Sequence, residues 1–240
     1  MDTVAFKDKG EIKMIAHRGV SGLERENTCP AFVAAGVKTY YGIETDVHMT
    51  KDGKFILCHD GDLSRVAGVD MVIKETDYDT LRAVHFTDRG PDFVRGDVFL
   101  PSLKEYMHIC KKYGKRAVLE IKVDFADEDM GRLISEIREC GMLESTTFIS
   151  FIKSACLKVK KHYPGADIQC LSKIAIDEAV NFCIENGFDA DLYYEKITKE
   201  IVDKLHAAGH KVNAWTVNKL EDAERLKECG VDYITTNILE

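Results

Sequence analysis

The sequence predicts an α/β fold, a closed (β/α)8 barrel. Three observations carry that expectation. Apolar runs of strand length alternate with helical runs eight times along the chain. The length of 240 residues suits one such barrel as a single domain. Neither a G-x-G-x-x-G run nor a Walker loop occurs, so an open nucleotide-binding sheet lacks its fingerprint.

Each element can be justified in order. Residues 12–16 form a short apolar strand that ends at His17-Arg18-Gly19. Pro30 suits a first helical turn, and Ala31, Phe32, Ala34 and Ala35 continue that helix to Gly36. Residues 42–47 form the second strand. Lys51-Asp52-Gly53 makes a turn, and residues 55–58 run back toward His59. Residues 61–101 have weak periodicity, with one short helix predicted over 76–84. They are too many for a plain loop and read as an insertion between a barrel strand and its helix. Ser102 and Glu105 have capping-box spacing, which opens a helix to about Tyr113.

The remaining strands are predicted at 116–122, 146–151, 166–171, 188–192, 211–217 and 231–235. Helices lie between them. Met130, Leu133, Ile134 and Ile137 mark one helix face, and Ile197, Ile201 and Leu205 another. Asn218, three residues before Glu221, predicts an N-cap for the last helix.

The composition narrows the function. The chain is 45% hydrophobic and carries a formal net charge of -8, which argues against a nucleic-acid partner needing a basic face. The 8 cysteines form no C-x-x-C pair, and Cys58, Cys110 and Cys170 sit in apolar runs. That distribution predicts reduced, buried thiols and an intracellular protein. The first ten residues are polar, and no run approaches the ~20 apolar residues of a membrane span. A soluble, cytoplasmic protein without a stable membrane anchor is expected.

The chemistry collects at the predicted strand ends. Glu44 and Asp46 are two apart on one strand and so share a face. Paired carboxylates repel unless a cation lies between them, although a solvated edge strand would also tolerate them. Glu120 and Lys122 share a face two positions apart on the next strand, where a structural ion pair is the plainer reading. Glu44, Asp46 and Glu120 together would make an oxygen-rich site for one divalent cation, Ca²⁺ or Mg²⁺. Arg18 and Lys122 would hold an oxyanion, the first as a fork and the second as a compact charge. His17 and His59 are two groups able to move protons near neutral pH. Trp215, the only Trp, ends the seventh strand, and Asn237 follows the eighth. A capping histidine, a rim ion pair and a core Trp would explain these residues singly. Their joint placement at strand C-termini favours displacement at phosphorus.

Several stretches also resemble one family. Ala16-His17-Arg18-Gly19, Glu26-Asn27-Thr28, Ile43-Glu44-Thr45-Asp46-Val47 and Thr50-Lys51-Asp52-Gly53 are similar to motifs of the glycerophosphodiester phosphodiesterases. So are His59-Asp60 with Leu63 and Arg65, Pro101-Ser102-Leu103, Leu119-Glu120-Ile121-Lys122, Trp215-Thr216-Val217-Asn218, and Asp232 with Thr236-Asn237. The resemblance spans nearly the whole chain. It implies a TIM barrel with a small insertion after the second strand, here 61–101, in one catalytic domain. It implies Ca²⁺ or Mg²⁺ on Glu44, Asp46 and Glu120, and His17 and His59 as the acid–base pair. By the same resemblance Arg18 and Lys122 contact phosphate, and Trp215 lines the glycerol end with Phe151. The implied reaction hydrolyses a small glycerophosphodiester to glycerol 3-phosphate and an alcohol. Alternatives are a lysophospholipase D, a non-catalytic phosphodiester-binding barrel and a metal-dependent sugar isomerase.

Overall fold

In the computed structural model, which describes residues 2–87 and 94–240, eight parallel strands close into a barrel. The chain begins with β1 (Lys13–Ala16), α1 (Cys29–Gly36), β2 (Gly42–Met49) and β3 (Phe55–Leu57). A separate segment follows, with α2 (Ser64–Ala67), a 3-10 turn (Ile73–Glu75), α3 (Tyr78–Arg82), β4 (His85–Thr87) and β5 (Val94–Phe99). The alternation then resumes with α4 (Leu103–Tyr113), β6 (Arg116–Ile121), α5 (Asp127–Glu139), β7 (Thr146–Ser150), α6 (Lys153–His162) and β8 (Asp167–Ser172). It ends with α7 (Ile176–Asn186), β9 (Asp189–Tyr193), α8 (Lys199–Ala207), β10 (Val212–Trp215), α9 (Leu220–Cys229) and β11 (Tyr233–Thr236).

The hydrogen-bonded order is β1-β11-β10-β9-β8-β7-β6-β2, and β1 pairs back onto β2 to close the ring. The predicted return strand β3 pairs antiparallel on the far end of β2. Alternation of side chains explains two of the cores. Ala16, Val47 and Leu119 point outward into the main cluster beneath the helices. Ile15, Val118, Ile149, Leu171 and Tyr233 form a separate cluster inside the barrel.

Residues 61–101 depart from the single predicted helix. Among the described residues they hold two short helices, the 3-10 turn and the antiparallel β4–β5 pair. Ile56, Cys58, Leu63, Val66, Ile73, Leu81, Phe86, Val98 and Leu100 make a third core under this segment. Its apolar residues serve that small core rather than one helix face, which is why their periodicity is weak. Part of the stretch, 88–93, lies outside the described residues.

Capping fixes two helices close to the site. Thr28 Oγ1 accepts from Ala31 N at 3.4 Å and opens α1 one residue earlier than Pro30 alone suggests. Ser102 and Glu105 form the predicted capping box on α4. Tyr106 of that helix donates its hydroxyl to Ile43 O at 2.7 Å and accepts from Val118 N at 3.0 Å. One buried phenol thereby ties β2 to β6 beneath their acidic residues.

Two details differ from the expected pattern. Asn218 is not the cap of α9, because Lys219 occupies that position without a side-chain cap bond. Asn218 Oδ1 accepts from Asn237 N at 2.9 Å instead, so it joins the ends of β10 and β11. Helix α8 buries Val202 and Leu205, while Ile197 precedes the Thr198 cap. All eight cysteines are free thiols. Among the described residues no helix is long and apolar enough to cross a membrane.

Candidate active site

The parallel register places Asp46 of β2 directly beside Glu120 of β6, and Glu44 one inward position below. Glu44, Asp46 and Glu120 each offer an oxygen within 4.8 Å of the others, and all three are buried. A solvated edge strand is therefore excluded. Their charges cannot coexist without compensation. Burial and then the neighbouring Asp46 push Glu120 up to about 8, and burial with Asp46 and Glu120 raises Glu44 well above the carboxylate range. Asp46 is held down to about 2 despite its burial, by Lys122 and then Arg18 and His59. Lys122 Nζ lies 2.9 Å from Glu120 Oε1 and 3.4 Å from Asp46 Oδ1.

Asp46 Oδ1 is buried and makes no hydrogen bond. An all-oxygen set containing such an orphaned acceptor suits a hard divalent cation. The donor set thus fits the expected metal, and Glu44, Asp46 and Glu120 are the residues that could hold it.

The turn after β1 supplies the cation side. Gly19 adopts φ 75°, and a Cβ there would meet the Ala31 backbone at 2.6 Å. This close approach lets the loop fold over α1. Arg18 itself has φ 53°, so its backbone N–H reaches Glu44 Oε2 at 2.7 Å. Its guanidinium donates from Nη1 to Glu26 Oε1 at 2.9 Å and brings Nε within 3.6 Å of Asp46 Oδ2. That Nε is buried and makes no hydrogen bond. Asn27, also at positive φ, donates from Nδ2 to Asp46 Oδ2 at 2.7 Å and accepts from Thr45 at 2.7 Å. It fixes the carboxylate plane. Arg65 closes a second tier, donating from Nη1 and Nη2 to Glu26 and from Nε to Asp60 Oδ2 at 2.6 Å.

The two histidines are oriented differently. His17 Nδ1 lies 2.7 Å from Asn237 Oδ1, which leaves Nε2 toward Glu44, 3.9 Å away. Burial, then the Arg18 charge, lowers His17 to about 4, so its ring is neutral at neutral pH. His59 Nδ1 lies 2.7 Å from Asp60 Oδ1, a carboxylate that Arg65 anchors. Each partner fixes which ring nitrogen faces the cavity, so both imidazoles are held by their Nδ1 atoms.

Across the mouth, Phe151 stands edge-on to Trp215 at 5.4 Å, and Tyr193 packs on the same indole at 5.8 Å. Trp215 Nε1 donates to Asp191 O at 3.1 Å. His17, Arg18, His59, Lys122, Glu44, Glu120, Phe151 and Trp215 all line one cavity of about 80 Å³, and Asp46 lies behind it. The structure thus brings every predicted site residue to one end of the barrel.

Five polar residues around them were not assigned a role from sequence: Glu26, Asn27, Asp60, Arg65 and Asn237. Glu26, Asn27, Asp60 and Asn237 sit in loops that follow predicted strands, and Arg65 sits in the short helix α2. A sixth, Asp191, lies inside the apolar strand β9, where no local sequence signal marks it.

Acids, cations and histidines gathered at the C-terminal mouth of a (β/α)8 barrel define a TIM-barrel enzyme. The profile of the glycerophosphoryl diester phosphodiesterase family matches residues 17–240. The chain belongs to that family. It is 30% identical over 231 residues to a glycerophosphodiester phosphodiesterase of Caldanaerobacter subterraneus, covering 93% of each chain. In fold it is similar to a Silicibacter pomeroyi putative glycerophosphoryl diester phosphodiesterase, with TM-score 0.85 at 24% identity over 99% of this chain and 91% of that one. It is also similar to an Oleispira antarctica phosphodiesterase solved with its product sn-glycerol-3-phosphate, with TM-score 0.77 at 23% identity over 94% of this chain and 92% of that one.

Proposed function

We propose that the protein hydrolyses small glycerophosphodiesters to glycerol 3-phosphate and an alcohol, with one divalent cation, Ca²⁺ or Mg²⁺, on Glu44, Asp46 and Glu120. The observation that carries this reading is the meeting of that acidic triad with Arg18, Lys122 and two histidines around one cavity. A sugar isomerase would have little use for two cations beside the acids. A binding module would not need two separately oriented imidazoles. When bound, the cation would supply charge compensation for the phosphoryl oxygens.

The chain's own residues would do the rest. The Arg18 guanidinium and Lys122 Nζ, both on the cavity lining, would hold phosphate oxygens. The attacking hydroxyl, of water or of the substrate's own glycerol, must lose a proton. His17 is suited to take it, because its Nδ1 is committed to Asn237 and its ring is neutral. The leaving alkoxide must gain a proton. His59, bonded to the anchored Asp60, is suited to give it. Phe151 and Trp215 wall the glycerol end. The insertion 61–101 begins directly after Asp60 and supplies Arg65 from helix α2 to anchor it, within one catalytic unit. Neither a nucleic-acid partner nor a membrane anchor enters this reading, and we assign a cytoplasmic location.

Release of choline and glycerol 3-phosphate from glycerophosphocholine, assayed with and without chelator, is the deciding experiment. The expected result is turnover that chelator abolishes and Mg²⁺ or Ca²⁺ restores. No turnover, or turnover indifferent to chelator, would overturn the reading. A lysophospholipase D activity is the second reading. It is favoured by a hollow of about 500 Å³, lined by Met49, Val72, Val123 and Phe125, that adjoins the site through His48. Faster release of choline from lysophosphatidylcholine than from glycerophosphocholine would select it.

A further inference from the structure

The barrel mouth holds one carboxyl that the proposed chemistry does not use. Asp191 is 1% exposed, yet it sits in the middle of β9 with its side chain lining the floor of the active-site cavity. Its Oδ1 is buried and has no hydrogen-bond partner. An orphaned carboxyl oxygen of this kind is costly and rare unless a ligand satisfies it. The same residue is held firmly in place. Its strand neighbours are Leu171 and Asn213, and its own carbonyl accepts the Trp215 indole N–H at 3.1 Å.

The position of β9 in the ring decides what Asp191 can reach. Counted around the closed barrel, β9 is four strands from β2 in either direction, so it faces the acidic strand across the mouth. The groups that would hold phosphorus come from β1, β2 and β6 and the loops after them. A ligand whose phosphate rests there would extend its far end toward Asp191. The wall beside it includes Ile149, Leu171 and Trp215, whose indole N–H is already spent on Asp191 O, with the hydroxyls of Thr216 and Thr235 on the cavity lining as well.

We propose that Asp191 is a specificity-determining residue that binds the terminal hydroxyl of the substrate's glycerol half, the hydroxyl farthest from phosphorus. The assignment rests on the proposed glycerophosphodiester reaction and refines it. A hydroxyl donates a hydrogen bond, and the buried Oδ1 of Asp191 is an acceptor that no protein donor meets. Burial, then the charge of Glu120, raises Asp191 well above the ordinary carboxylate range.

The test compares two ligands on the metal-loaded protein by calorimetry. One is glycerol 3-phosphate, and the other is propane-1,2-diol 1-phosphate, which lacks only the terminal hydroxyl. The wild type should prefer glycerol 3-phosphate by about ten- to a hundredfold, the usual effect of leaving one buried polar group unpaired. Asp191→Leu should reduce the preference to under about twofold while binding of the diol phosphate holds. Asp191→Asn, whose amide also donates and accepts, should keep most of the preference. Equal affinities in the wild type would overturn the assignment without any variant. An equal loss for both ligands in Asp191→Leu, with Asp191→Asn behaving likewise, would make the residue structural and also overturn it. Wild-type turnover of glycerophosphocholine, measured in parallel, separates this failure from failure of the reaction itself.

Discussion

The two walls of the barrel mouth are built from the same kind of strand and do opposite things. The wall of β1, β2 and β6 presents Glu44, Asp46, Glu120, Lys122 and Arg18, nearly all of them tied to one another. The wall of β7 to β10 presents Phe151, Leu171 and Trp215 to the cavity, with Asp191 as the carboxyl among them. The first wall is suited to charge at phosphorus. The second is suited to the shape and hydroxyl pattern of the carbon end. Substitutions on the first should lower rate, and substitutions on the second should redistribute affinity among ligands.

The largest effect should come from the histidines of the charged side. His17→Ala and His59→Ala should each lose about 10²- to 10⁴-fold in kcat with metal binding retained. A p-nitrophenyl leaving group needs no proton, so it should rescue His59→Ala and leave His17→Ala impaired. The reverse pattern would exchange the two roles, and no impairment in either would remove both.

Arg18→Lys is the next sharpest probe. It keeps the charge but loses the fork that spans Glu26 and the cavity. A fall of about ten- to a hundredfold in kcat/KM is expected, in line with loss of one charge-assisted bond. Steady-state kinetics showing wild-type rates would mean that the guanidinium only braces Glu26.

On the opposite wall, Trp215→Ala should raise KM by about tenfold while kcat changes less, because a stacked ring contributes mainly to binding. A kcat collapse with unchanged KM would erase the contrast between the walls.

The smallest effect is thermodynamic. Glu120 is raised from 4.5 to about 8, so the folded protein holds a proton that the unfolded chain releases above pH 4.5. The resulting stability is present below pH 4.5 and is lost as pH rises toward 8. Thermal unfolding of the metal-free protein should therefore show a falling contribution from Glu120 across that window. Glu120→Gln should flatten it, and a divalent cation should offset it by stabilising the ionised carboxylates. An unchanged pH profile in Glu120→Gln would contradict the raised value.

Much of this contrast is legible in the sequence. Glu44 and Asp46 share a face because strand side chains repeat every two residues, and Glu120 with Lys122 repeat the pattern one barrel strand later. The Ser102–Glu105 cap and the eight-fold alternation are equally local signals. Asn218 misled for a local reason too: it has cap chemistry, but the end of β11 competes for its oxygen and wins. The insertion could be located but not drawn, since its apolar residues answer to a separate small core.

The sequence by itself determined the barrel, the acidic pairs and the histidines, because strand periodicity and capping act over a few residues. Only the tertiary structure decided how these pairs meet. Asp46 lies against Glu120 through interstrand register, and Asn237 reaches His17 from 220 residues away because the ring closes. It alone set Asp191 facing β2 across the mouth. Closure of the ring is a long-range constraint, and no short window of sequence records which strands end up opposite one another.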